Sequence, residues 1–332
     1  MFVSIELKSV SKQYPGVDHF SVRDVNLTVA TGEFIALIGG SGCGKSTTLR
    51  MINRLIEPTS GDILMDGESV KGVDPVELRR KIGYVIQSVG LMPHLTIGEN
   101  IGFVAKLMKQ PKQQIESRVE ELLDTVGLEP ALYRDRFPRQ LSGGQQQRAG
   151  VARSLMLDPP VILMDEPFGA IDALLRKQLQ LEVRELQKRL QKTVVIVTHD
   201  ISEAFLLGDR VAVMDRGELL QVGTPHELIN APAHKVVADF LDDEVRLRRL
   251  DLLTVADALD LAPTTDPADD EMRLDGSLSL RKGLVKVAAN STDSTIAIEE
   301  GGRVLGRITT REFLRYVAQN TNKNTEVVNV VR

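Results

Sequence analysis

EFIALIGGSGCGKSTTLRMINRL, residues 33–55, decides the fold. EFIALI is a continuous apolar run, which predicts a buried parallel strand, and the glycines that end it predict a sharp turn. STTLRMINRL at 46–55 has helical periodicity. Between them, GGSGCGKS at 39–46 fits G-x-x-x-x-G-K-[ST]. A strand before and a helix after supply the context that makes this pattern a phosphate-binding loop. Glycines let backbone N–H groups crowd around phosphates, and a helix N-terminus favours negative charge. The candidate nucleotide-binding residues here are Gly39, Gly40, Ser41, Gly42, Cys43, Gly44, Lys45, Ser46 and Thr47. Lys45 is expected at the β- and γ-phosphates of ATP, and Ser46 on Mg²⁺.

Further strands lie to either side. FVSIEL and DVNLTVA alternate around a turn-like KQYPGVDH and predict a β-rich N-terminal region. Residues 110–130 are polar, with Ile115, Val119, Leu122 and Leu123 at helical spacing. VILMD (161–165), VVIVT (194–198) and RVAVMD (210–215) read as strands, with a helical pattern at 173–191 between the first two. Strands alternating with helices predict an α/β domain with a mostly parallel sheet covered on both faces. VILMDE delivers Asp165 to the end of an apolar strand, where a carboxylate can hold Mg²⁺ through water. Glu166, one residue on, can act as general base on the attacking water.

The chain has 332 residues, 42% of them hydrophobic and 26% charged, which suggests two soluble globular domains. The net charge of −5 gives no reason to expect nucleic-acid binding. Cys43 is the only cysteine, which excludes an intrachain disulfide and a Cys-rich zinc site and suggests a reducing compartment. No run of about 18 apolar residues occurs, and the N-terminus lacks the basic start and apolar middle of a signal peptide. A membrane pore, if this chain drives one, is expected in another chain.

LSGGQQQR at 141–148 sets the class. A Ser-Gly-Gly turn opening a helix is a second anion site, and LSGGQ just upstream of the Asp-Glu strand is the signature of ABC transporters. The chain resembles their nucleotide-binding subunit over about residues 1–240. That resemblance implies a P-loop ABC-type nucleotide-binding domain with a β-rich N-terminal subdomain and a helical subdomain. It implies that Ser142, Gly143, Gly144 and Gln145 meet the γ-phosphate held by a second copy, so that two subunits sandwich two ATP molecules. Tyr14 matches the aromatic that stacks on adenine. Gln87 matches the Q-loop glutamine that touches metal and water, and Asp172 in GAID the D-loop acid that crosses the dimer interface. His199 matches the switch histidine at the γ-phosphate. The family usually has Leu where Ile171 stands.

Three longer stretches, 51–70, 78–101 and 158–172, resemble the quaternary-amine osmoprotectant importers, which take up glycine betaine, carnitine or choline. This implies a transmembrane permease partner and, through it, an extracytoplasmic solute-binding protein. It also implies a peripheral place on the cytoplasmic face of the plasma membrane. Another small solute, such as an amino acid or polyamine, and a non-transport ABC ATPase are the alternatives. The latter class typically shows long coiled-coil insertions or two fused cassettes, and this sequence has neither. A P-loop phosphotransferase would lack LSGGQ.

Composition changes near 240. Residues 242–275 hold eleven acidic and four basic residues, whereas 277–332 hold nine basic and five acidic. APTTDPADDE at 262–271 reads as a loop or linker. GRVLGRITTREFL at 302–314, preceded by TIAIEE at 295–300, resembles the closing part of a CBS motif. In that family the positions of Thr309 and Glu312 often contact a ribose. The domains expected are 1–240, ATP-binding, and 241–332, a small CBS-like α+β domain that is regulatory or dimerising.

Overall fold

The computed structural model describes residues 5–86, 90–169, 171–261, 271–289 and 294–322. Gln87, Ser88, Val89, Ala170 and most of the linker reading, 262–270, lie outside the described residues.

The alternating N-terminal segments form β1 (Ile5–Gln13) and β2 (Phe20–Val29), paired antiparallel. β3 (Phe34–Ile38) is buried at every residue, as a central strand covered on both faces must be. Then come α1 (Lys45–Ile52), β4 (Ser60–Met65), β5 (Glu68–Ser69), α2 (Pro75–Arg80) and β6 (Ile82–Val85). A helical region follows: α3 (Ile97–Leu107), α4 (Lys112–Thr125), α5 (Pro130–Tyr133) and α6 (Gly143–Ser154). The chain returns through β7 (Val161–Asp165), α7 (Ala173–Leu190), β8 (Thr193–Val197), α8 (Ile201–Leu207), β9 (Arg210–Asp215), β10 (Glu218–Gly223) and α9 (Pro225–Asn230).

Two sheets result. One has strand order β2-β1-β4-β5, and the other β10-β9-β3-β8-β7-β6. In the second, β9, β3, β8, β7 and β6 run parallel and β10 antiparallel. This order sets the carboxyl ends of β3, β8 and β7 side by side, with Leu37 and Asp165 both in register with Val197. Ligands of open α/β sheets sit at those ends.

Two compact units meet between Val237 and Ala238, inside α10 (Lys235–Leu252). The second unit continues with β11 (Glu271–Asp275), α11 (Leu280–Ala289), β12 (Thr295–Glu300), β13 (Arg303–Thr309) and α12 (Thr310–Asn322). Glu271, at the end of the linker reading, opens β11. Parallel β11 and β12 need a crossover, and α11 supplies it. β12 and β13 pair antiparallel across Gly301–Gly302, both at positive φ, as a two-residue hairpin turn requires. Leu274, Leu280, Ile296, Ile298, Ile308 and Phe313 form a core within this unit.

Candidate active site

The phosphate loop leaves β3 and enters α1 with Gly39, Gly42 and Gly44 all at positive φ. A Cβ on Gly39 would stand 2.1 Å from the Met214 carbonyl oxygen, and one on Gly44 2.4 Å from that of Ser21. Both glycines are therefore required sterically as well as conformationally. Gly40, Ser41 and Gly42 face solvent, while Cys43 is buried. Buried Lys45 turns inward: its Nζ donates to Gly39 O at 2.8 Å, to Gly40 O at 2.9 Å and to Cys43 Sγ at 3.6 Å. Its charge is thus stored against the carbonyls that frame the loop. Thr48 locks the first turn of α1 by donating from both N and Oγ1 to Gly44 O.

Ser46 Oγ donates to Asp165 Oδ1 at 2.7 Å. Two hard oxygen groups held this close, one of them an acid in an apolar strand, suit Mg²⁺. The open glycine cradle beside them suits a polyphosphate. The residues present therefore fit ATP and its metal.

Two further side chains grip Asp165, and sequence reading missed both. Arg50 Nη2 and Tyr84 Oη each lie 3.4 Å from Asp165 Oδ2. Burial, with the Asp165 charge next in weight, holds the Tyr84 hydroxyl above its ordinary range. Arg50 carried a signal, since it stands four residues after Ser46 on one helix and so shares its face. Tyr84 carried none, because only the pairing of β6 with β7 brings it there.

Glu166 follows β7 in the left-handed region at φ 45°. Its N–H donates to Val197 O at 2.9 Å, which pins it to the end of β8. His199 follows that same end. Its Nδ1 lies 3.1 Å from Glu166 Oε2, and its side chain is about two-thirds exposed. The fold thus brings the predicted base and the predicted switch histidine into contact. Asp172 caps α7, accepting from Leu175 N at 3.0 Å. Tyr14 lies just past β1, partly exposed, with Lys12 Nζ 5.2 Å from its ring centroid.

The second candidate anion site opens α6 (Gly143–Ser154). Ser142 Oγ accepts from Gln145 N, and Gln145 Oε1 accepts from Ser142 N, so the signature residues form a capping box. Ser142 and Gly143 are exposed, whereas Gly144 packs on α7, where a Cβ would stand 2.5 Å from Leu175. Gly40, Ser41 and Gly42 of the first candidate anion site and Ser142 and Gly143 of the second therefore face outward.

A family model described as ABC transporter matches residues 22–169. The choline transport ATP-binding protein OpuBA of Bacillus subtilis is 52% identical over 267 residues, 80% of this chain and 70% of that protein. The glycine betaine/carnitine/choline transport ATP-binding protein OpuCA of Bacillus subtilis is 44% identical over 329 residues, 99% of this chain and 83% of that protein. A spermidine/putrescine import ATP-binding protein, PotA of Clostridium novyi, is 44% identical over 237 residues, 71% of this chain and 67% of that protein. Among solved structures, a dimeric post-hydrolysis ATP-binding cassette bound to ADP and Pi aligns with TM-score 0.59 at 35% identity, covering 66% of this chain and 98% of the cassette. The phosphate loop, the Asp-Glu strand and the signature helix fall within the matched family region, and the chain belongs to the ABC transporter family as one of its ATP-binding proteins.

Proposed function

We propose that this chain hydrolyses ATP to drive a membrane permease that imports a quaternary-amine osmoprotectant such as glycine betaine, carnitine or choline. The observation that carries the solute class is the reach of the match. Likeness to the glycine betaine/carnitine/choline relative spans 99% of the chain, whereas likeness to the polyamine relative stops at 71%. The ATPase does not touch the solute, so the distinguishing sequence lies largely outside the nucleotide site.

ATP and Mg²⁺, when bound, supply the transferable phosphoryl group and the charge that steadies it. The backbone of 39–47, Lys45 and Ser46 hold the phosphates, and Ser46, Asp165 and Gln87 hold the metal. Glu166 takes the proton of the attacking water, and His199, 3.1 Å from Glu166 Oε2, orients it and meets the γ-phosphate. Tyr14 stacks on adenine. Ser142, Gly143, Gly144, Gln145 and Asp172 act across a dimer on the nucleotide held by the second copy. The outward exposure of both anion sites supports that arrangement. The permease links the dimer to a solute-binding protein and holds it at the cytoplasmic face of the membrane. Among the described residues no helix is long and apolar enough to cross a membrane. The unit after about residue 240 is CBS-like: its strand-helix-strand-strand-helix order supports that reading. Glu312 and Thr309 there bind one another as a helix cap, which favours a structural over a nucleotide-binding role.

The test is uptake of labelled glycine betaine, carnitine, choline and spermidine by cells that lack their own uptake systems and express this chain with its permease. A quaternary amine should accumulate and spermidine should not. Glu166→Gln should stop uptake while ATP binding persists, because a neutral amide cannot accept the water proton. Spermidine accumulation alone would overturn the solute class, and full uptake with Glu166→Gln would overturn the site.

A further inference from the structure

His199 and Asp172 belong to different loops, and one guanidinium joins those loops. Arg176 stands on the first turn of α7, four residues beyond Asp172. Its Nη2 donates to Ile171 O at 2.8 Å, which holds the D-loop backbone beside Asp172. Its Nη1 lies 3.9 Å from Asp200 Oδ2, on the residue after His199. Asp200 is itself fixed on two sides: its N–H donates to Thr198 Oγ1 at 3.0 Å, and its Oδ1 accepts from Glu203 N at 3.0 Å, capping α8. One turn further along α7, on the same face, Gln180 Nε2 donates to buried Glu203 Oε2 at 2.8 Å. Two side chains of α7 therefore grip the first turn of α8, and one of them also grips the D-loop.

A guanidinium can serve two acceptors at once because its donors form a planar fork, and an ammonium cannot reproduce that geometry. Among the described residues, Arg176 Nε is buried without a hydrogen-bond partner. An orphaned buried donor costs about 1–3 kcal/mol, so the residue is poorly chosen if stability were its only purpose.

We propose that Arg176 is a positioning residue for ATP hydrolysis: it ties the D-loop at Ile171 to the acid that follows His199, so that His199 keeps its distance from Glu166 when a second copy engages the D-loop. It touches neither nucleotide nor water in this role. The inference rests on the reading of Glu166 as base and His199 as switch.

The experiment measures steady-state ATP hydrolysis and thermal melting of the full-length chain as wild type, Arg176→Met, Arg176→Lys and Glu166→Gln. Arg176→Met should lower kcat between about 10- and 100-fold, the effect of a small misplacement of reacting groups, with KM for ATP unchanged. Melting should stay near wild type, since the change also removes the orphaned donor. Arg176→Lys should recover little of the lost kcat, because one ammonium cannot hold Ile171 O and Asp200 together. Wild-type kcat in Arg176→Met, full recovery by lysine, or a kcat loss matched by a large fall in melting temperature would each overturn the proposal. Glu166→Gln separates the two levels. If it abolishes turnover while Arg176→Met does not alter it, only the Arg176 inference fails. If Glu166→Gln turns over normally, the reading beneath it fails.

Discussion

Glu203 is a carboxylic acid in the wrong solvent. It is almost fully buried at the start of α8, and burial raises its carboxyl to about 7 against hydrogen bonds from Thr198 and Gln180. The folded chain keeps that proton between about pH 4.5 and 7 while the unfolded chain releases it, so this group lowers stability as pH climbs through that window. Glu203→Gln fixes the neutral form. Its advantage over wild type should be absent near pH 4.5 and grow to roughly 3 kcal/mol above pH 7. Melting of both proteins at pH 5 and pH 8 checks this, and an equal difference at the two pH values would sink it. Residues such as Lys45, Ser46 and Ser142 were legible in the sequence because their chemistry sits in one contiguous motif. Glu203 and Tyr84 were not, and Arg50 was marked only by its place four residues after Ser46 on α1. Tyr84 reaches Asp165 across 81 positions, a closeness created by strand pairing that no local pattern announces. Gln87, by contrast, was read from its place after a strand and lies outside the described residues.

At the scale of elements, β7 and β9 match their predicted limits residue for residue, and β8 differs by one. Such strands are short and apolar, flanked by Pro160 and Glu166, by Lys192 and Thr198, and by Asp209 and Arg216, so composition marks their ends. β11 escaped although EMRLD alternates as a strand should, because its first residue falls in the acidic linker reading and its parallel partner β12 lies more than twenty residues on. In the segment before α3, Leu91, Met92 and Leu95 are half-buried, and fully buried Asn100 staples the loop. Asn100 Oδ1 accepts from Met92 N at 2.7 Å, and its Nδ2 donates to Met92 O, Leu95 O and Thr96 O. A stapled loop with part-exposed apolar side chains is a rigid platform, which fits docking of a permease helix. Met92→Cys should therefore cross-link to a cytoplasmic loop of the permease when the complex is assembled. Labelling confined to this chain would count against docking. Asn100→Ala leaves the Met92 N–H and three carbonyls without that partner, and should weaken the cross-link.

At the scale of the molecule, every candidate nucleotide-site residue from Tyr14 to His199 lies in the first unit, and the second has a core within itself. The opposite charges of 242–275 and 277–332 meet within that second unit. Arg307 pairs with Glu271 at 2.8 Å and Arg281 with Asp251 at 3.1 Å, while Arg273 of the acidic stretch pairs in the reverse sense with Glu299 at 2.9 Å. The Arg307 pair is mostly buried and so is screened little by salt. The Arg281 pair is half exposed on both sides and is the kind that salt weakens, over a Debye length of about 8 Å at physiological ionic strength. An importer of osmolytes could use such a unit to sense internal ionic strength as a cell loses water. The hypothesis is that residues 241–332 set the salt dependence of transport without taking part in hydrolysis. Truncation before 241 should leave ATP binding intact and flatten the response of uptake to internal salt, measured with the permease in anionic liposomes. The cut falls inside α10, so Arg281→Glu in the full chain gives a second arm: it breaks the exposed pair and should shift the response towards that of wild type at higher salt. If wild type, truncated and Arg281→Glu chains all respond to salt alike, the second unit is not the sensor, and its charges serve folding and solubility. If truncation abolishes ATP binding by the isolated chain, the boundary at 240 is misplaced and α10 beyond residue 240 also belongs to the ATP-binding unit.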